Sequence, residues 1–135
     1  MRPESVAEAR AWLKRAAMDL RAGALDLQPD PPIVEDALFH CQQAAEKALK
    51  AFLVAHGQTI PKTHDLDLLS CRCEAIHPSL REVLTEARDL TAFAWVFRYP
   101  GDWKSPSRDK GENALHLARR VYEAVVSRLP DEARS

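Results

Sequence analysis

Apolar residues recur at three- and four-residue spacing along five stretches of the chain. That is the period of an α-helix with one face turned inward. The first stretch runs from about Pro3 to Leu27, with Ala9, Trp12, Leu13, Ala16, Leu20, Ala24 and Leu27 on its inner line. Ser5 and Glu8 stand at capping-box spacing near its start. Gly23 weakens its last turns, and Pro29, Pro31 and Pro32 end it, since proline has no amide hydrogen to donate. The second runs from about Ile33 to His56 along Leu38, Cys41, Ala45, Ala48, Leu49, Phe52 and Leu53, with Gly57 placed as a C-terminal cap. Glu46 and Lys50 form an i,i+4 pair on it, and five alanines between positions 37 and 51 invite close helix approach.

The third stretch, from about Asp65 to Ile76, is capped by Thr63 or Asp65, with Leu66, Leu69, Cys73 and Ile76 inward, and His77-Pro78 stops it. The fourth is expected as one helix from about Ser79 to Arg98, with Ser79 and Glu82 as a second capping box. Its inner line is Leu80, Val83, Leu84, Ala87, Leu90, Ala94 and Phe97. Phe93, Trp95 and Val96 lie off that line, so its end is expected to be buried on two sides, one of them against a second subunit. Ser105-Pro106 reads as an N-cap with proline at the first helical position. The fifth helix follows, with Leu115, Ala118, Tyr122, Val125 and Leu129 inward, until Pro130. Each helix has one apolar stripe. The expected fold is therefore an all-α, antiparallel up-and-down bundle of about five helices.

The length of 135 residues fits a single domain spanning 1–135, with a core over about 5–129. Four glycines are too few for a turn-rich β-fold or a glycine-rich phosphate loop. Net charge is -1 overall, which argues against a strongly basic nucleic-acid coat protein. From Arg98 to Arg120, however, six basic residues face three acidic ones, a local surplus of three positive charges. No apolar run approaches the roughly 18 residues of a membrane span, and the N-terminus is not a secretory signal, so a cytoplasmic protein is expected. Cys41, Cys71 and Cys73 are expected as reduced thiols. The C-x-C pair points in two directions on a helix and suits neither a disulfide nor a zinc site.

Three segments carry candidate chemistry. In Phe39 to Lys50, His40, Gln43 and Lys47 line one polar stripe, read either as a solvated face or as a line facing a ligand. In Lys62-Thr63-His64-Asp65-Leu66, Lys62 and His64 form a candidate anion site at a helix start. The plainer reading is a capping signal. In Arg98-Tyr99-Pro100-Gly101-Asp102-Trp103-Lys104, followed by Arg108, cations and stacking rings occur together, the combination that holds a nucleotide or single-stranded nucleic acid. Pro100 and Gly101 also serve as a plain helix stop. Walker, GxSxG and HExxH motifs are absent. The five histidines (40, 56, 64, 77 and 116) lack metal-ligand spacing, so neither a metal nor a cofactor is expected.

These three segments, Phe39–Ala51, Pro61–Leu66 and Arg98-Tyr99-Pro100, resemble those of the HEPN domains (higher eukaryotes and prokaryotes nucleotide-binding) in their small prokaryotic form, over about residues 5–129. The resemblance implies a helical bundle that dimerises. It also implies a minimal nucleotidyltransferase as partner, in a toxin–antitoxin-like system. Ribonucleases of the family use an arginine followed, after four to six residues, by a histidine, paired across a dimer. Arg98 stands at the arginine position, but Trp103, Lys104 and Ser105 stand where the histidine would fall. Arg72 and His77 match the literal spacing in the wrong helix.

Three readings follow. The first is a module that binds a nucleotide or RNA through Lys47, Lys62, His64, Arg98, Tyr99, Trp103 and Lys104, with Arg98, Lys47 and His64 bordering one cleft. The second is a non-catalytic helical interaction module. The third is a ribonuclease toxin with Arg98 as its catalytic residue.

Overall fold

The computed structural model describes residues 2–94 and 105–134. Among them are five α-helices: α1 (Pro3–Asp26), α2 (Val34–Ala55), α3 (Leu66–Ile76), α4 (Arg81–Ala87) and α5 (Arg108–Val126). Single 3-10 turns at Pro78–Leu80 and Asp131–Ala133 and a longer 3-10 stretch at Arg88–Ala94 complete them, and no strand occurs among the described residues. Arg98, Tyr99, Trp103 and Lys104 lie outside the described residues, as do Trp95, Val96 and Phe97.

The bundle is built around α2. The sequence suggests one apolar stripe per helix, but α2 is buried nearly all round. Ala37, Ala44, Ala45, Ala48 and Ala51 are fully covered, and their small side chains let α1, α3, α5 and the Arg88–Ala94 stretch close on the helix from several sides. α1 packs along its length, and Ala9, Leu13, Ala16 and Leu27 are buried as the periodicity predicts. α5 covers α2 from another side with Ala114, Leu115, Ala118, Val121 and Val125.

Several helix ends differ from the sequence reading. α1 starts at Pro3, with Arg2 as its N-cap, so Ser5 lies inside the first turns and caps nothing. The expected fourth helix is divided: His77 precedes a 3-10 turn, α4 has only seven residues, and the 3-10 stretch follows. Ser79 is therefore not a cap, and its hydroxyl instead pairs with His77 Nδ1 and accepts from Arg128 Nε. The cap of α5 is Ser107, whose Oγ accepts from Lys110 N, two residues beyond the expected Ser105. Asp65 does cap α3, accepting from Asp67 N at 2.9 Å. Gly57 closes α2 with φ +74°, and the paired bonds Gln58 N to Leu53 O and Gly57 N to Val54 O form a Schellman motif.

The tip of the α1–α2 hairpin is held from two directions. Ile33 N donates to Asp26 O at 2.8 Å, closing the connection. Arg108 donates to the carbonyl oxygens of Leu27 and Pro29 from the start of α5. One turn on, Gly111 lies so close that a Cβ there would stand 2.8 Å from Leu27 Cδ2 and 3.1 Å from Val34 Cγ1.

Candidate functional site

At 100° per residue, Gln42, Glu46, Lys50, Gln43, Lys47 and His40 fall within about 160° of the α2 circumference. This is the one polar sector of a helix otherwise packed in apolar surroundings. It holds two carboxylate-centred clusters.

The first is centred on Glu46, whose side chain is 3% exposed. Oε1 accepts from Gln42 Nε2 at 3.0 Å and lies 2.8 Å from His64 Nδ1, while Oε2 accepts from Lys50 Nζ at 3.0 Å. Burial alone would raise the Glu46 carboxyl. The bonds from Gln42, His64 and Lys50 and the charge of Lys50 outweigh it, so the group sits below the ordinary glutamate range. A carboxylate can only accept, so His64 Nδ1 carries a proton toward Glu46 and Nε2 lies on the far side of the ring. The His64 side chain is 63% exposed, so that nitrogen is open to solvent. Lys50 also lies 5.4 Å from the centre of the Trp12 ring, which covers its charge on the α1 side.

The second cluster is centred on Asp19, buried on the inner face of α1. His40 Nδ1 lies 2.8 Å from Oδ1, and Lys47 Nζ donates to Oδ2 at 2.6 Å. The sequence reading has His40, Gln43 and Lys47 as one stripe. The structure ties two of the three to α1, while Gln43 Nε2 donates to Gln42 Oε1 and joins the first cluster. Lys47 also borders a hollow of about 420 Å³ with Lys14, Arg15, Met18 and Asp19. Lys47 and His64 thus answer to different carboxylates, and their positions on the sector are set by residues 46 and 47, about 100° apart.

Lys62 is exposed on the loop before α3 and has no partner among the described residues. That loop is pinned at both ends. Gln42 Nε2 donates to His64 O at 3.3 Å, and Leu66 N donates to Thr91 Oγ1 at 3.0 Å. Thr91 belongs to the stretch that leads, in sequence, into the basic and aromatic segment from Arg98.

Part of the local positive surplus is committed internally. Arg108 is spent on the hairpin tip, Lys110 stands 5.4 Å from the centre of the Phe93 ring, and Arg120 pairs with Glu86. Phe93, expected off the core line, is half-buried against the core. The buried thiols of Cys41 and Cys73 are both pushed up to about 12 by desolvation, so they pack rather than react, while Cys71 is exposed. The largest of the described hollows, about 770 Å³, lies at the other end of α2, beside Arg2, Glu8, His56 and Gly57, away from both clusters.

Sequence reasoning missed Asp19, and it placed Glu46 and Lys50 as an ordinary helix pair. Signals for both exist. Asp19 falls three residues after Ala16 and four before Gly23, on the buried line of α1. Glu46 and Lys50 are surrounded in sequence by alanines that draw other helices close.

The comparisons agree with this architecture. The HEPN domain profile matches residues 9–129. The crystal structure of TT1696 from Thermus thermophilus is similar, with 31% identity and a TM-score of 0.73 over 90% of this chain and 98% of that one. A comparison with curated proteins finds no match. The chain belongs to the HEPN domain family, and its fold is the all-α bundle that the resemblance implies. No helix among the described residues is long and apolar enough to cross a membrane.

Proposed function

We propose that this HEPN protein is a non-catalytic module that binds RNA or a nucleotide, dimerises, and pairs with a minimal nucleotidyltransferase in a toxin–antitoxin-like system within the cytoplasm. One observation carries the reading. The loop bearing Lys62 and His64 is anchored to the buried Glu46 and is bonded, through Leu66 and Thr91, to the stretch that continues into Arg98, Tyr99, Trp103 and Lys104. The exposed Lys62 and His64, together with the cations and stacking rings that follow in sequence, suit a phosphate backbone and unstacked bases. Lys47, held by Asp19, borders a separate hollow and contributes charge rather than a direct contact.

The test is fluorescence polarisation with a labelled single-stranded RNA and with labelled ATP at low and at moderate salt. Binding should weaken steeply as salt rises and should fall in the Arg98→Ala/Lys104→Ala variant. No binding of either probe at low salt overturns the reading. A nucleotidyltransferase reading frame beside the gene, and co-purification of its product, would support the partner.

A second reading has its own observation. His64, oriented through Nδ1 by a buried carboxylate and open at Nε2, is the arrangement of a positioned general acid or base. In that reading the chain is a ribonuclease in which His64 supplies what the residues after Arg98 lack. Expression without a partner would then arrest growth, and His64→Ala or Arg98→Ala would relieve it. Intact growth and intact RNA with the wild-type protein exclude this reading.

A further inference from the structure

The Asp19 cluster does not end at His40. The ring is held through Nδ1 by Asp19, and Asp19 is itself held by Lys47. With Nδ1 directed at Asp19, the ring presents Nε2 on the opposite side. There it meets Asp36, one turn earlier on α2, with Nε2 3.4 Å from Oδ2. Asp26, the last residue of α1, completes the group: one ligand atom from each of Asp26, Asp36 and His40 lies within 4.8 Å of the others. Asp26 Oδ2 is buried and has no hydrogen-bond partner among the described residues. Arg108 reaches this hairpin tip but bonds the carbonyl oxygens of Leu27 and Pro29.

Two carboxyl groups and an imidazole nitrogen therefore converge at the hairpin tip, with one buried carboxylate oxygen left without a hydrogen-bond partner among the described residues. Electron-rich atoms so arranged are unfavourable unless a cation or a proton stands among them. We propose that Asp26, Asp36 and His40 bind a divalent transition-metal ion of the Zn²⁺ or Mn²⁺ type at the tip of the α1–α2 hairpin.

The chemistry of the donor set supports a metal. Mixed imidazole and carboxylate ligands suit these ions. Four-coordinate bonds of about 2.0–2.1 Å place neighbouring ligand atoms about 3.3 Å apart, close to the separation of His40 and Asp36. The carboxylate–histidine pairing behind the ligand nitrogen is the second support. Metal-bound histidines donate their other N–H to such a group, which fixes the ring and raises its basicity. The Asp36 side chain is 51% exposed, so the site opens to solvent on that side and water can fill the remaining positions. Histidine spacing gives no hint of the site, because only one ligand is a histidine and Asp26 meets the other two across a helix joint.

The test uses the full-length protein stripped with EDTA and titrated calorimetrically with ZnCl₂ and, separately, MnCl₂, with the His40 Nε2 nitrogen followed by NMR in the zinc titration. One ion per chain, a shift of Nε2 on adding zinc, and at least a tenfold loss of affinity in Asp36→Asn are expected. Asp19→Asn, which touches no metal, should cost about 10–100-fold. Asp36 is half exposed at the start of a helix, so its variant keeps the fold, which circular dichroism verifies. No stoichiometric ion up to about 1 mM metal overturns the proposal. So does binding of unchanged affinity in Asp36→Asn, which would locate the ion elsewhere.

Discussion

Two histidines meet carboxylates beside the polar sector of α2, and they differ in how the negative charge is balanced. At Glu46 one carboxylate receives three donors, and its acidity is strengthened despite burial. At the hairpin tip the Asp26 and Asp36 carboxyls crowd one histidine, and the acidity of Asp26 is weakened. The first arrangement is complete within the chain. The second is short of positive charge and draws on something outside it, a proton or an ion. Burial is common to both, so the number and sign of the neighbours decide the outcome.

Breaking the complete cluster should cost most. Glu46→Gln leaves the Lys50 ammonium buried without its carboxylate, and urea denaturation should read a loss of about 3–5 kcal/mol. Replacing both partners, Glu46→Leu with Lys50→Met, should recover most of it, since an apolar pair carries no desolvation penalty. Next comes the packing beneath the incomplete cluster. Gly111→Ala drives a methyl group against the ends of the Leu27 and Val34 side chains; their shift outweighs alanine's better helix propensity only modestly, so the net cost should be about 1 kcal/mol, read as a slightly lower melting temperature.

Asp26→Asn should act in the opposite direction. Its carboxyl holds a proton more tightly folded than unfolded, so wild-type stability falls as pH rises from about 4 to 7. In EDTA-containing buffer the variant should gain on the order of 1 kcal/mol at pH 8, the effect being moderated by partial solvation, and nothing near pH 3.5. Glu46 has the reverse dependence. Its contribution is present above the ordinary glutamate range and is lost as pH falls through its lower folded value, so the deficit of Glu46→Gln should shrink in acid. The smallest effect belongs to His64→Ala. The ring is mostly solvated, and Gln42 and Lys50 still satisfy Glu46, so the cost should stay below about 1 kcal/mol in the same denaturation series.

The helical pattern makes most of the bundle legible in the sequence. The inner lines of α1, α2 and α5 follow directly from a period that dispersed apolar residues keep over many turns. Gly57 and Asp65 were legible as caps for a local reason, since one backbone angle or one side chain decides each. The caps assigned to Ser5, Ser79 and Ser105 were not. At Ser5 and Ser79 the turn opens on the preceding proline, which fixes φ, so the serine falls inside it; at α5 a second serine, Ser107, takes the cap two residues beyond Ser105. The break after Ala87 left no mark in the apolar spacing, because α-helical and 3-10 turns of one or two repeats present similar spacings.

The site was legible only by halves. His64, Lys62 and Lys47 could be named from motifs, but the groups that hold His64 and Lys47, Glu46 and Asp19, depend on which faces become buried. The Asp26–Asp36–His40 cluster depends on two helix ends meeting across a loop, and periodicity within either helix says nothing of that.

The alanine-lined burial of α2 has a consequence for motion. Every other helix in the described chain presents a side to water and can fray from it, whereas the amides from Ala44 to Ala55 are covered by neighbours on nearly all sides. Such amides exchange with solvent deuterium only when the whole bundle opens. α2 therefore acts as the molecule's slow clock: its exchange rate reports the lifetime of the entire fold, while the surrounding helices keep faster, local time.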